Sequence, residues 1–244
     1  MAKKISTAET TAYMQNSVKT LAANIRFASV DNPAKTIVVT SSVPNEGKST
    51  IAIALAEALS TGGCTAILVE CDMRRRSLAE MLELRATSGI YSVLAGQASL
   101  EQAVLQTSMR GVYLLDAESH IPNPVDILGS RRFQSLVDSL AKTYDYVIFN
   151  TPPLSAFVDA AVVGSIADGT LLVVRRNFTK RDEILSAFEQ LKKAGASVIG
   201  TVLNFCESEK SDYYYYEYYT KGGERRKRKK RHNDSGNELE MPFN

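Results

Sequence analysis

Cysteine is scarce in this chain, long apolar runs are absent, and no internal repeat is found. The three cysteines, Cys64, Cys71 and Cys206, are odd in number and stand at no metal-ligand spacing. That argues against a disulfide framework or a cysteine-built zinc site and fits free thiols in a reducing compartment. No segment approaches the roughly 20 apolar residues that a membrane-spanning helix needs, and no secretory leader opens the chain. The expectation is a cytoplasmic protein, and any association with a membrane must come through a partner or a charged segment.

Charge is present but unevenly placed. Residues 221–232 hold eight Lys/Arg and one acid, Glu224, so this stretch carries +7 while the remainder sits near −5. The body is mildly acidic and the tail strongly basic. Just ahead of the basic run, six of the eleven tyrosines fall between Tyr213 and Tyr219.

What fills most of the 244 residues is an alternation. Short apolar runs at 36–42, 65–70, 112–116, 146–150, 169–175 and 197–204 read as strands. Helix-period segments lie between them, at 48–60 and around Ile127–Leu140 and Ile184–Leu191. Strands apolar on both faces and separated by helices predict an α/β fold with a mostly parallel sheet covered on both faces. From about Ser208 the hydrophobic period stops. Residues 1–207 are therefore expected to form the folded domain and 208–244 a disordered tail, tyrosine-rich and then basic.

The sharpest local signal is VVTSSVPNEGKST, in which a strand runs through a loop into a helix. It matches the phosphate-loop pattern G-x-x-x-x-G-K-[ST] except at its first glycine, which is Ser42. Backbone N–H groups at the helix start can cradle phosphates, and the helix dipole favours the same charge. The expected nucleotide-binding residues are Ser42, Pro44, Asn45, Glu46, Gly47, Lys48, Ser49 and Thr50. Lys48 would neutralise the terminal phosphates and Ser49 would offer its hydroxyl to Mg²⁺. Phosphoryl transfer also needs acids at neighbouring strand ends, on the ligand side of a parallel sheet. ILVECDMR supplies Glu70 and Asp72, and YVIFN supplies Asn150. A capping or merely solvated role is the alternative for the two acids.

Together these residues resemble the bacterial tyrosine kinases of capsular and exopolysaccharide biosynthesis, P-loop NTPase-like cytoplasmic enzymes. TSSVPNEGKST resembles their Walker A motif, ILVECDMRRR their Walker A′, and IPNPVDILGSRRF the Pro-rich start of the helix before Walker B. YDYVIFNTPPL resembles Walker B itself, DGTLLVVR and GTVLN the later strands, and the tyrosine cluster the tail. The resemblance implies an ATP- and Mg²⁺-dependent protein-tyrosine kinase in which Lys48, Glu70 and Asp72 are catalytic, Glu70 in the place of a general base. Ser49, Asp72 and Asn150 would hold the metal, and Asn204 would join the nucleotide site. Tyr213, Tyr214, Tyr215, Tyr216, Tyr218 and Tyr219 would be autophosphorylated in trans. Nine residues from Asn204 to Tyr213 reach about 30 Å when extended, enough for a neighbouring subunit's site. Six phosphates would add roughly −9 to −12, more than the basic run can balance.

The implied partners are a membrane chain-length regulator that activates the kinase, a cognate tyrosine phosphatase, and other copies of the chain. The basic run suits anionic lipid or a membrane partner; nothing besides charge suggests nucleic acid, and none is expected. Three departures stand out. Glu70 replaces the first Walker A′ aspartate. Asn150 replaces the Walker B aspartate, which predicts weaker placement of metal and water. In the N-terminal helix, expected at 10–31 as an oligomerisation element, Asn16, Lys19 and Ala22 occupy the E-x-x-R-x-x-R positions, so ring assembly is in doubt. The rival readings are a catalytically weakened ATP-binding regulator of polysaccharide export, and a ParA/MinD-like ATPase. Against the latter, Val43 stands where its signature lysine would be.

Overall fold

The computed structural model describes residues 7–27 and 33–206, with side chains described from residue 14 onward. In chain order the elements are α1 (Thr7–Phe27), β1 (Thr36–Ser41), α2 (Lys48–Thr61), β2 (Ala66–Glu70), α3 (Leu78–Met81), α4 (Ile90–Leu94), α5 (Leu100–Ala103) and β3 (Val104–Gln106). Then come β4 (Val112–Leu115), α6 (Pro124–Leu128), α7 (Arg131–Thr143), β5 (Tyr146–Asn150), α8 (Asp159–Gly164), β6 (Gly169–Arg175), α9 (Arg181–Lys193) and β7 (Val198–Asn204). The seven strands form one sheet in the order β3-β4-β2-β5-β1-β6-β7. Every pairing is parallel except β3 with β4.

The parallel α/β expectation holds, with one addition. The antiparallel edge strand β3 is three residues long and follows the capping box of Ser99 and Gln102, so its sequence lacks the length that marks a strand. Residues of one strand alternate between the two faces. Ile37, Val39, Leu68 and Ile148 pack under α1 and α2 with Leu55 and Leu59. Val38, Ile67, Val69, Val147 and Phe149 face Phe133, Val137 and Leu140 of α7. Leu172 and Val174 of β6 meet α8 and α9 through Ala160, Ala187 and Leu191. Burial on both faces is why β1, β2 and β5 read as unbroken apolar runs.

On α1, Val18, Ala22 and Ile25 are buried against this core, while Asn16 and Lys19 are exposed. Ala22 is thus spent on packing and leaves only two of the three interlock positions facing outward. The compact unit that holds the sheet runs to Phe205. The tyrosine cluster and the basic run lie outside the described residues.

The register sets up the site. Val39 and Glu70 both pair with Asn150, so β1, β2 and β5 end side by side. Arg175 and Asn204 pair at the matching ends of β6 and β7. All the loops that leave these ends emerge on one edge.

Candidate nucleotide and phosphoryl-transfer site

The phosphate loop leaves β1 after Ser41 and turns into α2 at Gly47, whose φ is +88°. A Cβ there would sit 2.3 Å from Asn204 Nδ2, so the position requires glycine on both conformational and steric grounds. The first helical backbone bond, Ile51 N–H to Gly47 O, leaves the N–H groups of the opening turn without an intrahelical acceptor. Pro44 and Asn45 form the exposed tip, Asn45 with φ +66°, and Thr50 is exposed at the helix start. Ser42 is buried and its Oγ has no hydrogen-bond partner among the described residues.

Glu46 is the buried acid that shapes this loop. Its Oε2 accepts the Val43 N–H (2.7 Å), and its Oε1 accepts the Arg175 N–H (3.0 Å) and the Thr179 hydroxyl. Its carbonyl accepts from Asn204 Nδ2 (2.9 Å). The loop is thereby tied to the ends of β6 and β7. Beside it, the Arg175 guanidinium lies over both Phe178 and Phe205, 4.7 and 4.3 Å from the ring centres. Arg175, Thr179 and Phe205 carry no sequence signal of this role beyond standing at or after strand ends.

Lys48 Nζ is 3.3 Å from Asp72 Oδ2. Asp72 Oδ1 accepts the Arg75 N–H. Glu70 is fully buried and all its acceptor capacity is used within the chain. Oε2 accepts the N–H groups of Ser77 (2.9 Å) and Leu78 (3.0 Å), and Oε1 accepts the Asp72 N–H (3.1 Å) and Asn150 Nδ2 (2.8 Å). Burial pushes its pKa up to about 7, against the opposing pull of those four hydrogen bonds. The same burial, with Glu70, Asp159 and Asp72 nearby, pushes the Cys71 thiol well above its usual range, so it is inert as a nucleophile.

Asn150, also fully buried, places Oδ1 3.3 Å from Ser49 Oγ. Ser77 Oγ completes the group, 2.8 Å from Ser49 Oγ. The Asn150 carbonyl accepts the N–H groups of Cys71 and Asp72. Ser77 was invisible from sequence because its partners are 28 and 73 residues away.

The structure therefore gathers Lys48, Ser49, Glu70, Asp72 and Asn150 at one set of strand ends, with Asn204 against the loop. The donor chemistry suits Mg²⁺, which favours oxygen, keeps several waters and takes few protein ligands. Ser49 Oγ, Asp72 and Asn150 Oδ1 are the oxygens available, and phosphates and water would supply the rest. Among the described residues no cluster of three or more His, Cys, Asp or Glu stands ready for a metal.

A family model described as an AAA domain matches residues 34–194. Tyrosine-protein kinase YwqD of Bacillus subtilis (strain 168) is 35% identical over 186 residues, 76% of this chain and 78% of the relative. The chain belongs to the bacterial tyrosine kinases. Two solved structures share the fold. The chimerical protein CapA2B2 superposes with a TM-score of 0.76 at 30% identity, over 79% of this chain and 85% of the other. The kinase domain of the Escherichia coli tyrosine kinase ETK gives 0.74 at 25% identity, over 80% and 78%. No helix among the described residues is long and apolar enough to cross a membrane.

Proposed function

We propose that this chain is an ATP-dependent protein-tyrosine kinase that phosphorylates Tyr213–Tyr219 of a neighbouring copy. The observation that carries the reading is Lys48 at the phosphate loop, ion-paired with Asp72 just past the end of β2. The N–H groups at the start of α2 would take up the phosphates, and Lys48 would leave Asp72 for the terminal phosphate as it accumulates charge. When bound, Mg²⁺ supplies charge neutralisation and orientation of the phosphates, in a reaction that depends mainly on positioning and electrostatics. Release of Lys48 would leave the Asp72 carboxylate as the base placed to take the tyrosine proton; Glu70, expected in that role, already accepts from four donors within the chain. The tyrosine oxygen gains the γ-phosphoryl group, the bond to the β-phosphate oxygen breaks, and ADP departs.

The reading extends to context. A membrane chain-length regulator would dock a cytoplasmic segment beside the nucleotide site, where Phe178 and Phe205 are half exposed, and the phosphorylated tail would regulate polysaccharide synthesis and export. A phosphatase would reset the tail. The loss of charge at Asn150 favours a second reading, a weakened ATP-binding regulator.

One experiment separates them. The full chain is incubated with ATP and Mg²⁺, with and without membranes carrying the regulator, and its tail is read by mass spectrometry. Phosphotyrosine within residues 213–219 that disappears in Lys48→Met, with the melting temperature retained, is the expected result. Phosphotyrosine undiminished in that variant sinks the kinase reading, and none in either condition leaves the regulator.

A further inference from the structure

The two departures at Glu70 and Asn150 are in direct contact, and each explains the other. They are register partners on β2 and β5, both fully buried. An amide at position 150 can face its neighbours either way round, because its oxygen and nitrogen are nearly the same size. Here the surroundings decide. The Glu70 carboxylate is an acceptor and draws Nδ2 to 2.8 Å, so Oδ1 is left facing Ser49 Oγ at 3.3 Å. Glu70 cannot turn away, since three backbone N–H groups from Asp72, Ser77 and Leu78 hold its two oxygens.

We propose that Glu70 is a positioning residue for the metal side of the site: it orients the Asn150 amide so that an oxygen faces Ser49 without a second buried negative charge. This rests on the reading of the loop as a nucleotide site. It also changes the expectation for Asn150, which on sequence alone is a weakened metal ligand that aspartate should repair. With Glu70 in place, aspartate would put two carboxylates in hydrogen-bond contact out of water, where both cannot ionise.

The isosteric variant Glu70→Gln isolates the orienting role. The side-chain oxygen of the new residue would stay with the two fixed donors, Ser77 and Leu78. Its nitrogen would then face Asn150, whose amide must turn, presenting N–H₂ to Ser49. Adding Asn150→Asp to that variant reverses the polarity of the pair. The aspartate would accept from the new amide on one oxygen and offer the other to Ser49.

The test uses the full chain and reads ADP affinity by calorimetry, with Mg²⁺ and with a chelator, together with the melting temperature. The ratio of the two affinities is the magnesium enhancement, which a merely loosened fold would not change. E70Q is expected to lower the enhancement about tenfold, on the order of one lost polar contact. N150D is expected to melt roughly 5 °C or more below the natural chain. The double variant E70Q/N150D should exceed E70Q in enhancement and N150D in melting temperature. Full enhancement in E70Q, an unshifted melting temperature in N150D, or a double variant no better than the worse single one overturns the assignment. Failure of the natural chain to bind ADP at all would overturn the nucleotide-site reading, and this with it. Because no arm measures phosphotyrosine, loss of the kinase reading alone leaves a distinct result.

Discussion

Glu70 and Glu118 perform the same local task in different surroundings. Glu70 accepts the N–H groups of Ser77 and Leu78 where α3 begins, and Glu118 accepts those of Gly89 (2.7 Å), Tyr91 (2.9 Å) and Ser92 (2.8 Å) where α4 begins. Their titration is shifted in opposite directions. Burial dominates at Glu70 and raises its pKa to about 7. At the half-buried Glu118 desolvation is again the largest single influence, but the bonds from Ser92, Tyr91 and Gly89 together outweigh it and the pKa falls below its usual 4.5. A carboxylate that caps backbone donors is therefore neither intrinsically raised nor lowered. Access to water decides whether the hydrogen bonds or the desolvation prevails. It also decides what a substitution costs, because water can replace Glu118 at its donors and cannot readily do so at Glu70.

That difference can be sharpened by truncation. Glu70→Ala removes the side-chain acceptor of the Ser77 and Leu78 N–H groups and one partner each of the Asp72 N–H and Asn150 Nδ2, and is expected to cost about 3 kcal/mol in denaturant unfolding. A loss under about 1 kcal/mol would mean that water enters the site freely. Glu46→Ala should come next, at about 2 kcal/mol, since it removes the side-chain acceptor of the Val43 N–H and leaves the Arg175 N–H and the Thr179 hydroxyl only their longer bonds to Thr179 Oγ1 and the Arg175 carbonyl. Its ADP affinity should fall as well, because the loop loses its tie to β6. Unchanged affinity would show that the loop holds its shape without this acid.

Glu118→Ala should have the smallest effect, within roughly 0.5–1 kcal/mol, as for an accessible helix cap. Its pH dependence follows from the lowered pKa. The folded state holds the ionised form more tightly than the unfolded chain does, so the contribution is present above pH 4.5 and is lost as pH falls through the folded value. Melting temperatures compared between pH 6 and pH 3.5 should show a smaller acid-induced drop in Glu118→Gln than in the natural chain. An equal drop would place the acid sensitivity elsewhere.

Much of this was legible in the residues. The unbroken apolar strands announce a sheet buried on both sides, and VPNEGKST announces a helix start built for phosphate, because both depend on local pattern. The short elements α3, α4, α5 and β3 were not legible. They are four or five residues or fewer and have too little period to register, and tertiary bonds such as Glu118 to the N–H groups before α4 hold them in place. Ser77 and Thr179 show the same limit at the site. Each is an ordinary residue in an ordinary context until the strand ends come together.

The chain's sequence by itself determined the parallel sheet, the phosphate loop and the choice of Lys48, Ser49, Glu70, Asp72 and Asn150 as its neighbours. It did so because alternating burial and strand-end chemistry are written in short stretches. Only the tertiary structure decided what the two unusual members mean. Residues 70 and 150 are 80 positions apart, and it is the β2–β5 register that brings the Glu70 carboxylate to 2.8 Å from the Asn150 amide. At that distance and depth, one charge excludes another and an acceptor fixes which way an amide faces, so the chemistry of each position depends on a partner that no local pattern reveals.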